Sequence, residues 1–419
     1  MEIRVEHLTR VEGHGNVVAS TVDGRVRQAV FEVVEANRFF EAILRGRDHE
    51  EVSHIASRIC GICALSHACA SLQATEAALG LEVSEQTVLL RRLIMDAETI
   101  SSHALHVYFL AAPDYLGLQS VLPLIQEDPE TVKRAFRVKK AGYDLAEVIV
   151  GRHTHPVSMI PGGFTSVPRV RDFEPIRARL VALRDDLALT VEMYQHLDVP
   201  AFERPTEYVS LRHPDHYCFY GGDIVSSAGE QVPAARYLEA IDEVVVEHST
   251  AKHARWYGGI YRVGALARVN NNWRQLHAPA QEAMRALGLV PPCHNPFQNN
   301  AAQVVELVHC LEDALMLIDT LASRGIELEE DHHVEPHAGR GVGLVEAPRG
   351  LLIHDYTYDE RGKCEHANCI IPTAQNYANL DEEMAEYLAQ IASEPEDAVR
   401  RGLEMLVRAY DPCISCSTH

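Results

Sequence analysis

The chain has 419 residues, 47% of them hydrophobic and 23% charged, proportions that exclude wholesale disorder. Asp and Glu number 60 against 38 Lys and Arg, and the formal net charge of −22 argues against nucleic-acid binding and against attraction to an anionic membrane surface. Ten cysteines are too few for a disulfide scaffold, so their arrangement carries more than their number.

Taken along the chain, residues Glu2 to His7, Asn16 to Val22 and Arg25 to Val33 alternate as strands, with Asp23-Gly24 as a hairpin turn. Met1 to His7 holds no apolar signal-peptide core, which makes a cytoplasmic location the default. An Ala-rich helix is expected from Ile62 to Leu79, capped by Gly80. Ser84 opens a long amphipathic helix that Pro113 is expected to end. The most apolar stretch, Leu105 to Ile125, is broken by Pro113, Asp114 and Gly117, so no membrane span is expected. Helical periodicity recurs over Thr131 to Val150, Val170 to Leu197, Tyr237 to Ala251, Asn299 to Ala322 and Leu380 to Tyr410. A strand pair is predicted at Leu351 to Tyr358 and Ala367 to Ile371, turning at Asp359-Glu360-Arg361-Gly362. The expected architecture is mainly α with small peripheral β-sheets. Residues 1–419 read as a single domain with a β-rich portion over about 1–35, a helical core and a β-hairpin over about 351–371.

The chemistry concentrates in two C-x-x-C pairs at opposite ends of the chain, Cys60 with Cys63 and Cys413 with Cys416. Two cysteines at i and i+3 in a first helical turn direct both sulfurs at one centre, and the helix N-terminus favours the ionised form. Four thiolates suit a soft transition metal. Spacing alone favours structural zinc. Nearly the whole chain separates the pairs, however, which makes a poor local staple and a good buried centre around which a large fold closes.

These motifs resemble the nickel-binding motifs of the large, catalytic subunit of nickel–iron hydrogenases. The resemblance extends through Arg10-Val11-Glu12-Gly13-His14, Arg38-Phe39-Phe40-Glu41, His103-x-x-His106 with Asp114, Gly151-Arg152-x-x-His155-Pro156, Glu346-Ala347-Pro348-Arg349-Gly350 and Cys369-Ile370-Ile371-Pro372-Thr373. It covers essentially the full chain and is closest to the cytoplasmic multimeric group, whose acceptors are nicotinamide, deazaflavin or heterodisulfide systems. The implied fold is that of the hydrogenase large subunit, and the implied reaction is reversible cleavage of dihydrogen to protons and electrons.

The resemblance implies nickel held by all four cysteines, with Cys60 and Cys413 terminal and Cys63 and Cys416 bridging to an iron that carries one carbon monoxide and two cyanides. Arg349 and Thr373 would donate to the cyanides, and Leu352, Ile371 and Pro372 would wall the carbon monoxide. The bland alternative for Arg349 is an ion pair with Glu346. Glu12 would relay a proton from Cys413, although a lone Glu after a strand is usually just solvated. His67, one helical turn after Cys63, would hydrogen-bond that sulfur or else be an ordinary core histidine. Asp114 and Asp411, otherwise turn residues, would orient Arg349 above the open metal position. Glu41, the Cys369 carbonyl and His419 would hold magnesium or another divalent ion. The resemblance also implies that an extension is cut after His419, so this chain reads as mature. No further cluster-binding cysteine run is present, so electrons must leave through an iron–sulfur small subunit, with further electron-transfer subunits beyond it. A hydrogen-sensing regulatory hydrogenase and a complex-I-related electron-transfer subunit are the alternatives. The second of these has lost the nickel cysteines, which are present here.

Overall fold

The chain opens on an antiparallel sheet of β1 (Glu2–Val5), β2 (Gly15–Val22) and β3 (Arg25–Val33). Asp23 and Gly24 make the β2–β3 turn, both with positive φ, as a tight hairpin requires. The computed structural model describes residues 1–329 and 335–419.

Five long helices follow, interrupted by short strands. They are α1 (Ala64–Ala78), α2 (Glu85–Leu105), α3 (Pro129–Val150), α4 (Val170–Gln195) and, after those strands, α5 (Asn299–Arg324). Their ends follow local chemistry. Ser84 caps α2 by accepting the Thr87 N–H at 3.0 Å. Asp128 caps α3 in the same way, Pro129 occupies its first turn, and Gly151 closes it at φ 75°. Gly80, at φ 63°, lets the chain leave α1. Among the described residues no helix is long and apolar enough to cross a membrane.

Two expectations need correction. Pro113 does not end the helical run after α2. The chain widens into a π-helical segment, His106–Ala111, and then makes one more turn over Ala112–Tyr115. Pro113 sits in the first turn of that last piece, where its missing N–H costs little. The helix expected from Tyr237 to Ala251 is not formed. A 3₁₀ turn over Ala234–Glu239 leads into β4 (Ile241–Val244), which pairs antiparallel with β5 (His253–Trp256). The run Val244-Val245-Val246 favours extended backbone over helix, because β-branched side chains crowd the preceding helical turn.

The last third carries the sheet that matters most for the site: β6 (Gly339–Ala347), β7 (Gly350–Tyr358) and β8 (Cys364–Ile370), all antiparallel. Ala347 pairs with Gly350, so Pro348 and Arg349 form a two-residue hairpin tip. Pro372 then starts α6 (Pro372–Ile391). Pro395 separates it from α7 (Glu396–Ala409), and α8 (Ile414–Ser417) precedes the last two residues, Thr418 and His419. The continuous helical region expected from Leu380 to Tyr410 is thus two helices.

Helix α1 lies directly on β6. A Cβ built on Gly339, Gly341 or Gly343 would fall inside the carbonyl oxygens of Ala78, Ala74 and Ala70 respectively. Glycine every second strand residue faces alanine every fourth helix residue, because two strand residues rise about 6.7 Å and four helix residues about 6 Å. The two elements run in opposite directions, so the start of α1 meets the end of β6 at the hairpin tip. We predict that Gly343→Ala costs about 3 kcal/mol or more, since backbone rather than a flexible side chain must give way. The check is a clear fall in the thermal unfolding midpoint; an unchanged midpoint would show that the helix slides freely on the strand.

Candidate metal centre

The four cysteines of the two C-x-x-C pairs are buried and free, and their sulfurs all lie within 4.8 Å of one another. The Cys60 sulfur is 3.6 Å from that of Cys413, and Cys63 is 3.6 Å from Cys416. The first pair is not inside a helical turn as expected. Cys60 is extended, Cys63 occupies the N-cap of α1, and the N–H groups of Ile62 and Cys63 fold back onto the Cys60 sulfur at 3.2 and 3.1 Å. Cys413 likewise caps α8, which places Cys416 in its single turn.

Burial pushes the Cys60 thiol up, but hydrogen bonds from the other three sulfurs outweigh it and carry Cys60 well below its ordinary value. Burial and neighbouring sulfur hold Cys413 and Cys416 well above theirs. Four adjacent buried thiols cannot all ionise alone. A divalent cation supplies the missing positive charge, and an all-sulfur donor set fits a soft transition metal.

One side of the cluster opens on a small cavity lined by Cys63, His67, Ala347, Arg349, Leu352, Ile371, Pro372, Thr373, Cys413 and Cys416. Arg349 is only 4% exposed. Its Nε donates to the Asp411 carbonyl at 2.8 Å and its Nη2 to Asp411 Oδ1 at 2.9 Å. Glu346 is not its partner. That carboxylate pairs with Arg268, which also donates to the carbonyls of Ala347 and Pro348 and so fixes the hairpin tip. Thr373 Oγ1 accepts the Cys413 N–H at 3.0 Å, leaving its own proton to donate elsewhere.

Glu12 is bridged to the second cysteine pair through backbone and side chain. Its carbonyl accepts the Ile414 N–H at 2.9 Å. Its Oε2 accepts the Ser415 N–H at 3.0 Å and lies 3.2 Å from the Cys413 sulfur. Among the described residues Asp114 makes no ion pair with Arg349. It pairs with Arg10 and, at 2.7 and 2.8 Å, with Arg408. The expected hydrogen bond from His67 to Cys63 is likewise not formed among the described residues; His67 Nδ1 meets His354 Nε2 at 3.0 Å. Burial pulls the His67 imidazolium down to about 4, so the ring is neutral. Glu41 Oε1 accepts the Cys369 N–H at 2.9 Å and lies 3.3 Å from His419 Nε2. Burial raises this carboxyl, but His419, the Cys369 N–H and Lys252 outweigh it and hold it at about 2.

The family model for nickel-dependent hydrogenases matches residues 38–141 and 210–419, a span that includes all four cysteines. The chain belongs to the nickel-dependent hydrogenase family. Among curated relatives, sulfhydrogenase 1 subunit alpha of Pyrococcus furiosus is 35% identical over 422 residues, covering 100% of this chain and 98% of the relative. Sulfhydrogenase 2 subunit alpha of the same organism is 35% identical over 420 residues, covering 100% and 99%. Among solved structures, the NAD+-reducing nickel–iron hydrogenase in its H2-reduced state superposes with a TM-score of 0.89 at 29% identity, covering 100% of this chain and 99% of that one. The fold is therefore that of the hydrogenase large subunit, and the chain is the catalytic subunit of a hydrogenase, an oxidoreductase acting on dihydrogen.

Several residues of this hydrogenase support the centre without having been assigned roles from the sequence. Glu98, buried on α2, accepts the N–H groups of Leu65 and Ser66 at 2.7 and 3.0 Å and so holds the first turn of α1. Burial pushes its carboxyl up to about 8. Gln303 on α5 joins His106 Nδ1 at 2.5 Å to Asp411 Oδ2 at 3.0 Å. Arg38 donates to the carbonyls of Ile59 and Ser415, tying the segment before Cys60 to the one before Cys416. The signal for His106 and Arg38 was their place in recognised motifs; Glu98 and Gln303 gave none. We expect Asp411→Ala to cost about 3–5 kcal/mol by leaving the Arg349 cation buried without its carboxylate. Asp411→Asn keeps an acceptor and tolerates the φ of 50° at this position, so it should cost less. Thermal midpoints of the two variants in the metal-free chain test this order; equal midpoints would reject the pairing as a stabilising contact.

Proposed function

We propose that the four sulfurs hold a nickel–iron centre, with Cys60 and Cys413 as terminal nickel ligands and Cys63 and Cys416 as bridges to an iron carrying one carbon monoxide and two cyanides. The observation that carries this reading is the asymmetry of the cavity. It borders Cys63, Cys413 and Cys416 but not Cys60, and its far wall combines Arg349 and Thr373 with apolar Leu352, Ile371 and Pro372. A bare zinc knuckle has no use for such a wall, whereas an iron with two strong acceptor ligands and one weak one needs donors on two sides and apolar contact on the third. When bound, the centre supplies Lewis acidity toward dihydrogen and takes up its two electrons.

The protein's own residues then divide the remaining work. The Cys413 sulfur takes a proton and hands it to Glu12 Oε2, 3.2 Å away. Asp411 fixes the Arg349 fork, and Asp114 fixes Arg10 and Arg408 one layer further out. Glu41, the Cys369 carbonyl and His419 hold magnesium or another divalent ion beside the C-terminal turn; the short Glu41–His419 separation supports this assignment. Two electrons per dihydrogen leave through an iron–sulfur partner subunit to a nicotinamide, deazaflavin or heterodisulfide acceptor. That route is supported by the relatives being alpha subunits and by an NAD+-reducing structural relative. Within this chain the metal-binding cysteines form one group only, among the described residues.

The test of the centre combines infrared spectroscopy with metal analysis of the purified complex. Cys413→Ser should abolish hydrogen uptake; full uptake by this variant would remove Cys413 from the ligand set. Glu12→Gln preserves shape but not titration. It should lower dihydrogen oxidation by two orders of magnitude or more, about what a positioned acid–base group contributes, while the cyanide and carbon monoxide bands persist. Intact bands with near-normal turnover would reject Glu12 as the proton acceptor.

A further inference from the structure

We propose that His248, His253 and Asp381 form a second transition-metal site, suited to zinc and separate from the cysteine centre. One ring nitrogen from each histidine and one carboxylate oxygen lie within 4.8 Å of one another. His248 Nε2 stands 3.1 Å from Asp381 Oδ2, close to the edge of about 3.3 Å that a zinc tetrahedron with ordinary ligand bonds would have.

The second, independent observation is His253 itself. It is 2% exposed, and its Nε2 is buried with no hydrogen-bond partner. A buried ring nitrogen without a partner is free to take a ligand. Burial pulls its imidazolium down to about 4, so a neutral ring with a free lone pair is present at pH 7. Asp381 is already oriented: its Oδ1 accepts the Phe31 N–H at 2.9 Å, which turns Oδ2 toward His248. Near these groups stand the carboxylates of Glu32, itself paired with Arg4, and of Glu382, together with the cation Arg255. His248 and Asp381 are half-buried, which gives an entry path and room for a water as fourth ligand. Two imidazoles select a zinc-like ion over magnesium.

The other histidine–carboxylate group, His277, His309 and Asp313, shares the orphaned Nε2, on His309, but is otherwise engaged. His309 Nδ1 already accepts the His277 N–H, and Arg92 lies 3.3 Å from Asp313. Metal at the proposed site would tie the loop between β4 and β5 to α6 and, through Phe31, to β3.

The experiment equilibrates the intact hydrogenase complex with zinc, then measures metal content and zinc-edge X-ray absorption. We expect one added zinc per chain, bound at micromolar concentration or tighter, with a nitrogen and oxygen shell containing two imidazoles. His248→Ala and Asp381→Asn should each weaken uptake at least about tenfold with nickel content unchanged. The asparagine keeps the acceptor for Phe31, so that variant retains the local fold. A sulfur-only zinc shell, no uptake at micromolar zinc, or wild-type affinity in both variants would overturn the site.

Discussion

Three glycines of β6 rest against three backbone carbonyls of α1, and the rest of the centre depends on that contact. No side chain separates helix from strand there, so their spacing has little freedom. The seam runs antiparallel, which brings the N-cap residue Cys63 opposite the end of β6. The hairpin that follows can then offer only what a two-residue tip holds, Pro348 and Arg349. A strand with ordinary side chains would lift the helix by several ångströms, and the cavity would lose its far wall. Glu98 from α2 secures the helix end of this arrangement, and Arg268 secures the hairpin end through two carbonyls. Both anchors are buried polar side chains hydrogen-bonded to backbone groups, where they fix position more firmly than apolar packing does.

The second cysteine pair comes from the opposite end of the chain and needs its own clamp. Glu12 provides it from the loop between β1 and β2, Arg38 provides it from the segment after β3, and Thr373 provides it from the start of α6. Each contacts the last nine residues through backbone N–H or C=O groups. The C-terminal turn is therefore held by three separate segments, not by its own four-residue helix, which is too short to be stable alone. Glu12 thus serves two ends: the carboxylate that holds Ser415 in place is the one that lies against the Cys413 sulfur. A group held by both contacts is rigidly placed for the proposed proton transfer.

How much of this was legible in the sequence follows from the physical range of each signal. The cysteine pairs, Glu12, Arg349 and Thr373 stood in dense local motifs, and the structure brings all of them to one place. The helices α2, α3 and α5 were visible because a long 3.6-residue period is hard to mistake. β6 was not read as a strand, because its alternating glycines look like loop punctuation until the helix they face is known. The segment after Tyr237 misled for the opposite reason, since apolar residues at mixed spacing fit a helix until the three valines are weighed for backbone preference. Asp114 was assigned to the right neighbourhood and the wrong cation. Nothing in sequence distinguishes Arg349 from Arg408, and Asp114, in the helical turn after the π-helical segment, pairs with the latter.

The charges around the centre form two layers. Arg349 is neutralised by Asp411, which Gln303 and His106 hold from α5 and from the π-helical segment. Behind them, Arg10 and Arg408 share Asp114, and His106 donates to the Arg408 carbonyl at 2.8 Å. Each arginine therefore has a carboxylate of its own or a shared one, and the two layers touch through a single histidine. A buried guanidinium without such a partner would be strongly destabilising. With one, Arg349 keeps its charge, fixed beside the cavity and pointed where an anionic ligand set would stand. The protein thus holds a permanent cation against a cluster of sulfurs that gather negative charge when metal enters, and the charge of the filled site is balanced from the protein side before any reaction begins.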